Sequence, residues 1–492
     1  MTTTVLVAPE TTPRTAREHR PRPPHEHSSP PRRRSGWFGQ LLLRLHFYAG
    51  ILVGPFILVA AVSGALYALT PAIEQAVYRH ELTAPATETR LGLATQVEIA
   101  RTYIGDRTAM PSAVRPAPVP GDTTRVMFAE EGLGESESRA VFIDPGTGEV
   151  RGDLTVYGTS GALPFRNWVS NLHGDLHLGD AGRLYSELAA SWLAVVALAG
   201  LGLWVLRIRR SRSRKDFFRP GRSGSGYRRL SSRHASVGIW VLLGAVFLSA
   251  TGMSWSQHAG DRIGDLRAAL DWETPTVDAG LSGAARGPSS GSGSGEHVHH
   301  GATDAGGPAD LTTLDAVLAT ARTVNVDTGL VEIRPPAEPG RAWVVQEMQR
   351  SYPTQVDAVA VDGDTMRVVD RIDFAEFPLA AKLTRWGIDA HMGSLFGLPN
   401  QLALFVLACG IAALVVLGYL MWWRRRPTRG PRRAAGTAPR RGALRRAPWW
   451  GTVAVLAAAV AVGWWMPLVG YPLAGFVIVD LVVGRVRRRR AG

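Results

Sequence analysis

The sequence predicts an α-helical polytopic membrane protein. Its parts are a four-helix core built as a parallel duplication, a C-terminal helical hairpin, and two small α+β domains on the outer side of the membrane. Three observations predict this. Charge-free apolar runs of membrane-spanning length recur along the chain, basic residues crowd beside those runs, and residues repeat at fixed offsets.

The spans come first. A helix crossing the hydrocarbon needs roughly 20 apolar residues. Phe47 to Leu69, Leu188 to Leu206, Ala235 to Trp255 and Leu395 to Trp423 each run without a charge. Trp449 to Met466 and Pro467 to Gly484 then read as a hairpin turning near Pro467, with Asp480 in its second arm. One span plus a surface helix is the alternative.

Charge orients the spans. The segments up to Arg44, 207–233, 424–446 and 485–490 hold 34 basic and 4 acidic residues, a net of +30. The whole chain carries +14, which leaves −16 for the rest. Basic flanks mark the cytoplasmic side. Six spans then thread with both termini in the cytoplasm, as expected of a multi-pass protein of the cell's cytoplasmic membrane. The expected boundaries are a disordered basic tail over 1–36, spans over 37–70, 185–207, 234–256 and 391–423, outer domains over 71–184 and 257–390, basic cytoplasmic loops over 208–233 and 424–448, the hairpin over 449–484 and a basic tail over 485–492. So placed, the charge is a topology signal that also suits anionic lipid in the bilayer, and no nucleic-acid partner is read from it. No apolar core of a cleavable signal peptide precedes Trp37. A single cysteine, Cys409 in an apolar run, leaves no intrachain disulfide and no cysteine metal site.

The repeat is ungapped. Trp168 and Trp386, His173 and His391, Gly179 and Gly397, and Trp204 and Trp422 all differ by 218, as do Asp144 and Asp362 in the loops. His46 and His234, Gly50 and Gly238, and Gly64 and Gly252 differ by 188. The unit is span, outer domain, span, used twice in parallel. In the first outer domain Leu93 to Ile104 is a helix candidate, with strands at Arg125 to Ala129 and Ala140 to Ile143 around the turn Asp144-Pro145-Gly146. In the second, Leu314 to Thr323 is the helix, and Ala342 to Gln346, Gln355 to Val361 and Met366 to Val369 are strands. Residues 280–307 are rich in Gly, Ser and Ala and read as a flexible insert.

Four histidines hold paired positions at span ends. His46 and His234 open the first and third spans; His173 and His391 precede the second and fourth. An interfacial ring sitting at the headgroups is the plain reading of any one of them. Duplication favours another, since each pair sets one imidazole from each repeat at the same depth. Two neutral imidazoles facing one another suit a six-coordinate haem iron, and two haems, one per face, would make an electron path across the bilayer. His177, four residues after His173, would share its helical face and is a secondary ligand candidate, although its repeat position is Leu395. His297, His299 and His300, beside Glu296, form a metal-binding candidate in the insert. Gly50, Gly64, Gly238 and Gly252 would let helices approach closely and leave room for a flat macrocycle. No phosphate loop, dinucleotide fingerprint or zinc-protease motif is present.

His46-Phe47-Tyr48-Ala49-Gly50, the run from Leu172 to Gly179 (LHGDLHLG) and the run from His391 to Pro399 (HMGSLFGLP) resemble the PepSY-associated transmembrane proteins, often described as iron-regulated membrane proteins. The likeness covers about residues 37–426. It implies four core spans and two PepSY-like outer domains, and some relatives are ferric-siderophore reductases carrying b-type haem. The insert, the basic N-terminal tail and the C-terminal hairpin depart from that pattern. The expected function is a di-haem oxidoreductase moving electrons outward, from an unidentified cytoplasmic donor to ferric iron in a siderophore or other chelate. A membrane-anchored sensor or binding module acting on a protease or cell-wall partner is the rival. A metal transporter is a third reading, set back by spans without a central charge.

Overall fold

The computed structural model describes residues 36–134, 136–209, 226–281, 309–425 and 441–489, with positions 2 and 439 besides. In chain order, the first half holds α1 (Trp37–Leu52), α2 (Gly54–Val77), α3 (Arg79–Leu82), α4 (Leu93–Ile104), β1 (Ala113–Arg115), β2 (Thr124–Phe128), β3 (Glu137–Ile143), β4 (Val150–Tyr157), α5 (Pro164–Gly174) and α6 (Asp180–Ile208). The second half holds α7 (Tyr227–Ser254), α8 (Gln257–Ala269), α9 (Leu314–Arg322), β5 (Val331–Arg334), β6 (Trp343–Glu347), β7 (Ala358–Val361), β8 (Val368–Ile372), α10 (Leu379–His391) and α11 (Leu398–Arg424). The hairpin α12 (Trp449–Trp465) and α13 (Pro467–Arg489) follows.

Helices α2, α6, α7 and α11 are long and apolar enough to cross a membrane. The first expected span is bent: α1 gives way to α2 at Val53, because Pro55 in the first turn of α2 lacks a backbone N–H. The bend is a kink and not a gap. Val53 N–H still donates to Ala49 O at 2.8 Å, and Ile57 N–H to Val53 O at 3.1 Å. Ala49, Val53, Ile57 and Ala61 face Ala189 and Trp192 of α6, Ala245 of α7 and Ile411 of α11 in one apolar core.

Outside the bundle lies one antiparallel sheet, ordered β4-β3-β2-β1-β5-β6-β7-β8. The sequence leads one to expect two separate domains; here they share a sheet and a core. β1 pairs with β5 through Val114 and Ile333. Each half ends in a very short strand whose open edge would be a liability alone, and pairing the two edges removes both. Leu93 and Val97 of α4 pack with Leu314 and Val317 of α9 over Val114, Val126, Val141 and Ile333. Fully burying each such side chain contributes about 1.5–3 kcal/mol. Two polar ties cross the seam. Asp315 of α9 accepts the N–H of Leu93 at 2.9 Å, capping α4. Glu332 of β5 accepts from Arg115 of β1 at 2.6 Å and from Arg334 at 2.6 Å.

The hairpin packs against α1 and α6. Gly463 and Gly470 bring its arms together backbone to backbone. Trp192 Nε1 of α6 donates to Leu468 O at 2.9 Å. Arg44 of α1 lies over the rings of Tyr48 and Phe476. Trp37, opening α1, meets Gly451, and Arg262 of α8 lies over Trp464, so the hairpin touches both ends of the bundle.

Candidate functional site

The sheet anchors two short helices at its end of the bundle. Arg115 donates to Thr159 O at 2.9 Å, in the loop between β4 and α5. Arg350 donates to Thr159 Oγ1 at 2.9 Å and lies 3.7 Å from the sulfur of Met392, next to His391. This one loop therefore links α5, which carries His173, to the end of α10, which carries His391.

His173 reaches back to α2, where its Nδ1 lies 2.9 Å from Ser63 Oγ and its ring stacks against Tyr67, one turn further on. Gly64 makes room: a Cβ there would stand 3.1 Å from His173 Cε1. His391 does the same on α7. Its Nδ1 lies 2.5 Å from Thr251 Oγ1, and Trp255, again one turn on, meets it edge to face at 5.2 Å. Ser63 and Thr251 differ by 188, and so do Tyr67 and Trp255.

The far-side pair lies ring to ring. His46 of α1 and His234 of α7 have ring centroids 5.9 Å apart at 77°. His46 Nδ1 donates to Val196 O of α6 at 2.9 Å. Gly200, one turn on, clears the ring, since its Cβ would stand 3.1 Å from His46 Cε1. The Nδ1 of His234 is buried without a hydrogen-bond partner among the described residues. Thr251 and His234 lie 17 residues apart on α7, so about 26 Å of helix rise separates the two levels.

The Val196 carbonyl can only accept, so His46 Nδ1 is a donor and its Nε2 keeps its lone pair. With the Ser63 hydroxyl proton on the helix carbonyl of Val59 at 2.9 Å and that of Thr251 on Phe247 at 2.8 Å, each hydroxyl oxygen accepts from its histidine, which leaves Nε2 of His173 and His391 bare in the same way. A neutral imidazole with one nitrogen held and one bare is the form that ligates a metal.

The other candidates fall elsewhere. His177 does not share a helical face with His173. α5 ends at Gly174, and Leu176 and His177 take left-handed backbone angles of φ +55° and +56°. The Asp175 carboxylate accepts the His177 N–H at 2.8 Å, and its exposed ring lies 5.2 Å from that of Trp168. His297, His299 and His300 lie outside the described residues. Among the described residues no group of three or more His, Cys, Asp or Glu side chains could hold a metal ion. Two buried carboxylates near the sheet end cap helices. Glu74 accepts the N–H of Leu163 at 2.7 Å, and Glu187 accepts those of His258 and Ala259 at 3.0 and 3.1 Å. Ser63 and Thr251, the hydroxyl partners, were missed in the sequence, although the offset of 188 relates them.

A family model described as the PepSY-associated TM region matches residues 43–425. No curated protein matches the chain. The hairpin α12–α13 lies beyond the matched region.

Proposed function

The chain belongs to the PepSY-associated transmembrane family, and from that premise we propose that it is a di-haem membrane oxidoreductase passing electrons across the bilayer to ferric iron in an external chelate, such as a siderophore. One observation carries the reading: two pairs of imidazoles, one at each end of the bundle, with one nitrogen held in His46, His173 and His391 and a buried, unpartnered Nδ1 in His234 among the described residues.

The residues fit haem. Two imidazoles bound to opposite faces of one iron set their centroids about 6 Å apart, from metal–nitrogen bonds of about 2 Å; His46 and His234 stand at 5.9 Å. Two nitrogens alone are too few ligands for a bare ion, whereas a macrocycle brings the rest. A buried ring nitrogen left unpartnered on His234 is costly, and iron ligation offsets that cost. Gly64 and Gly200 leave space beside the rings where a side chain would intrude.

His46 and His234 would hold one haem, and His173 and His391 the other. Haem supplies one-electron chemistry when bound. In this reading the chain holds the imidazoles in ligating tautomers and sets the two sites on different levels of one bundle. This reading takes the basic flanks as cytoplasmic, so that the far side lies with both termini in the cytoplasm and the sheet lies outside, its two halves being the PepSY-like domains. Vesicles carrying the purified protein, with a reductant trapped on the far side, should reduce an external ferric chelate. Vesicles with His391→Ala protein should not. Equal rates from both would overturn the reading and favour the membrane-anchored sensor.

A further inference from the structure

Arg262 of α8 stands at the sheet end of the bundle and faces the hairpin. Its guanidinium lies 5.6 Å over the ring of Trp464. Its Nη1 is buried and has no hydrogen-bond partner among the described residues. A guanidinium is always charged and carries only donors, so an unmatched N–H of this kind is costly. A cavity of about 350 Å³ opens beside it, lined also by Asp265, Leu266 and Trp465.

A second cavity, of about 690 Å³, shares Trp464 and Trp465 with the first and is otherwise apolar. It follows one face of α12, where Val453, Leu456, Ala457, Val460 and Ala461 recur at three- and four-residue spacing. Nothing in the described chain covers this face: Val453, Leu456, Val460 and Trp464 are all exposed. The small side chains of Ala457 and Ala461 leave a furrow between their larger neighbours. From Val453 to Trp465 the helix rises about 18 Å. One leaflet of the hydrocarbon is about 15 Å thick, half of a bilayer core of about 30 Å. The furrow thus has the length of a lipid tail, and its one cation stands at the sheet end, where a tail meets its headgroup.

The charges narrow the headgroup. Asp265, one turn from Arg262 on α8, lines the same cavity. A purely anionic headgroup would meet this carboxylate as well as the guanidinium. A zwitterion suits both, with phosphate on the cation and ammonium on the anion.

We propose that α8 and α12 form a binding site for one phospholipid of the phosphatidylethanolamine class. Its phosphate takes the Nη1 N–H of Arg262, its ammonium faces Asp265, and one acyl chain lies along the α12 furrow. The lipid joins the hairpin to the core at the sheet end, linking α8 within the family-matched region to α12 beyond it. The site is independent of haem.

The full-length protein, purified in mild detergent and washed free of bulk lipid, tests this by mass spectrometry of the lipid it retains and rebinds. Wild type should retain phosphatidylethanolamine. Returned to stripped protein, that lipid should bind about tenfold more tightly than phosphatidylglycerol, which lacks the ammonium, and Arg262→Gln should weaken it by about tenfold, the loss of one hydrogen bond to a charged group. Asp265→Asn should erase the preference between the two lipids. Ala461→Trp, which fills the furrow and leaves the headgroup residues in place, should also weaken binding. Equal binding of the two lipids by wild type, unchanged binding in Arg262→Gln, or an isoprenoid quinone retained in the lipid's place would overturn the proposal. Should Arg262→Gln fail to accumulate, the preference of the wild-type protein still decides.

Discussion

The far-side and sheet-side histidine pairs are built alike and held differently. His46 and His234 sit on long helices, and His46 bonds to the backbone of the neighbouring α6 through Val196 O. His173 and His391 sit at the ends of short helices, held from the bundle by Ser63 and Thr251 and from the sheet through Thr159 and Arg350. The sheet-side pair is therefore tied to the sheet, through Thr159 and Arg350. The difference shows how one repeat can yield two sites of unequal character without changing the ligand.

Removing a ligand should break the comparison most sharply. His391→Ala should lose about half the haem, since one of two sites loses an axial ligand, and leave the far-side spectrum normal. His234→Ala should do the converse. Haem-to-protein ratios on the purified variants check this, and loss of both sites in either variant would mean that the pairs are one cooperative unit.

Acid should separate the pairs next. Burial would raise the Glu332 carboxyl, but Arg334 and Arg115 outweigh it and hold it down to about 2. A carboxyl depressed in the folded state adds stability that is fully present above its unfolded value near 4.5 and is lost as pH falls toward 2. The shift corresponds to about 3 kcal/mol. Because Glu332 ties β5 to β1, acid between those limits should loosen the sheet and perturb the sheet-side spectrum before the far-side one. Glu332→Gln should cost a similar amount at neutral pH, where it strands Arg115, and should flatten the acid response. Thermal unfolding at several pH values measures both.

A methyl group offers a smaller and more local test. Gly64→Ala should push on His173 and Gly200→Ala on His46, each from 3.1 Å. Overpacking of this kind costs about 1–3 kcal/mol, less up to about 1 kcal/mol regained in helix propensity. Each change should shift only its own site's absorption bands. The smallest effect should come from His177→Ala. With its exposed ring against Trp168 and outside the bundle, it should leave both bands unmoved; loss of the sheet-side band would make it a ligand after all.

Much of this arrangement is legible in the sequence, and the gaps have physical causes. The four spans announce themselves by apolar length, and the four histidines by recurring at 188 and 218. Ser63, Tyr67, Thr251 and Trp255 are harder to see, because single hydroxyls and aromatics are ordinary in apolar helices. Val196 acts through the backbone, which no side-chain pattern reports. The seam of the sheet was invisible for a different reason. Ala113–Arg115 and Val331–Arg334 are only three and four residues long and run into Pro116 and Pro335, so each reads as loop until the other supplies its partner. Pro55 did mark the kink in the first span, but its uninterrupted apolar run hid it. His177 misled because four-residue spacing implies a shared face only while the helix lasts, and α5 stops at Gly174.

The most direct test is the haem content and visible spectrum of wild-type protein, purified after expression with ample haem and recorded oxidised and reduced. The account predicts a Soret band, reduced spectra of the six-coordinate bis-imidazole type, and two haems per chain. A single haem would contradict the two-site claim, and the absence of a Soret band would contradict the redox assignment altogether.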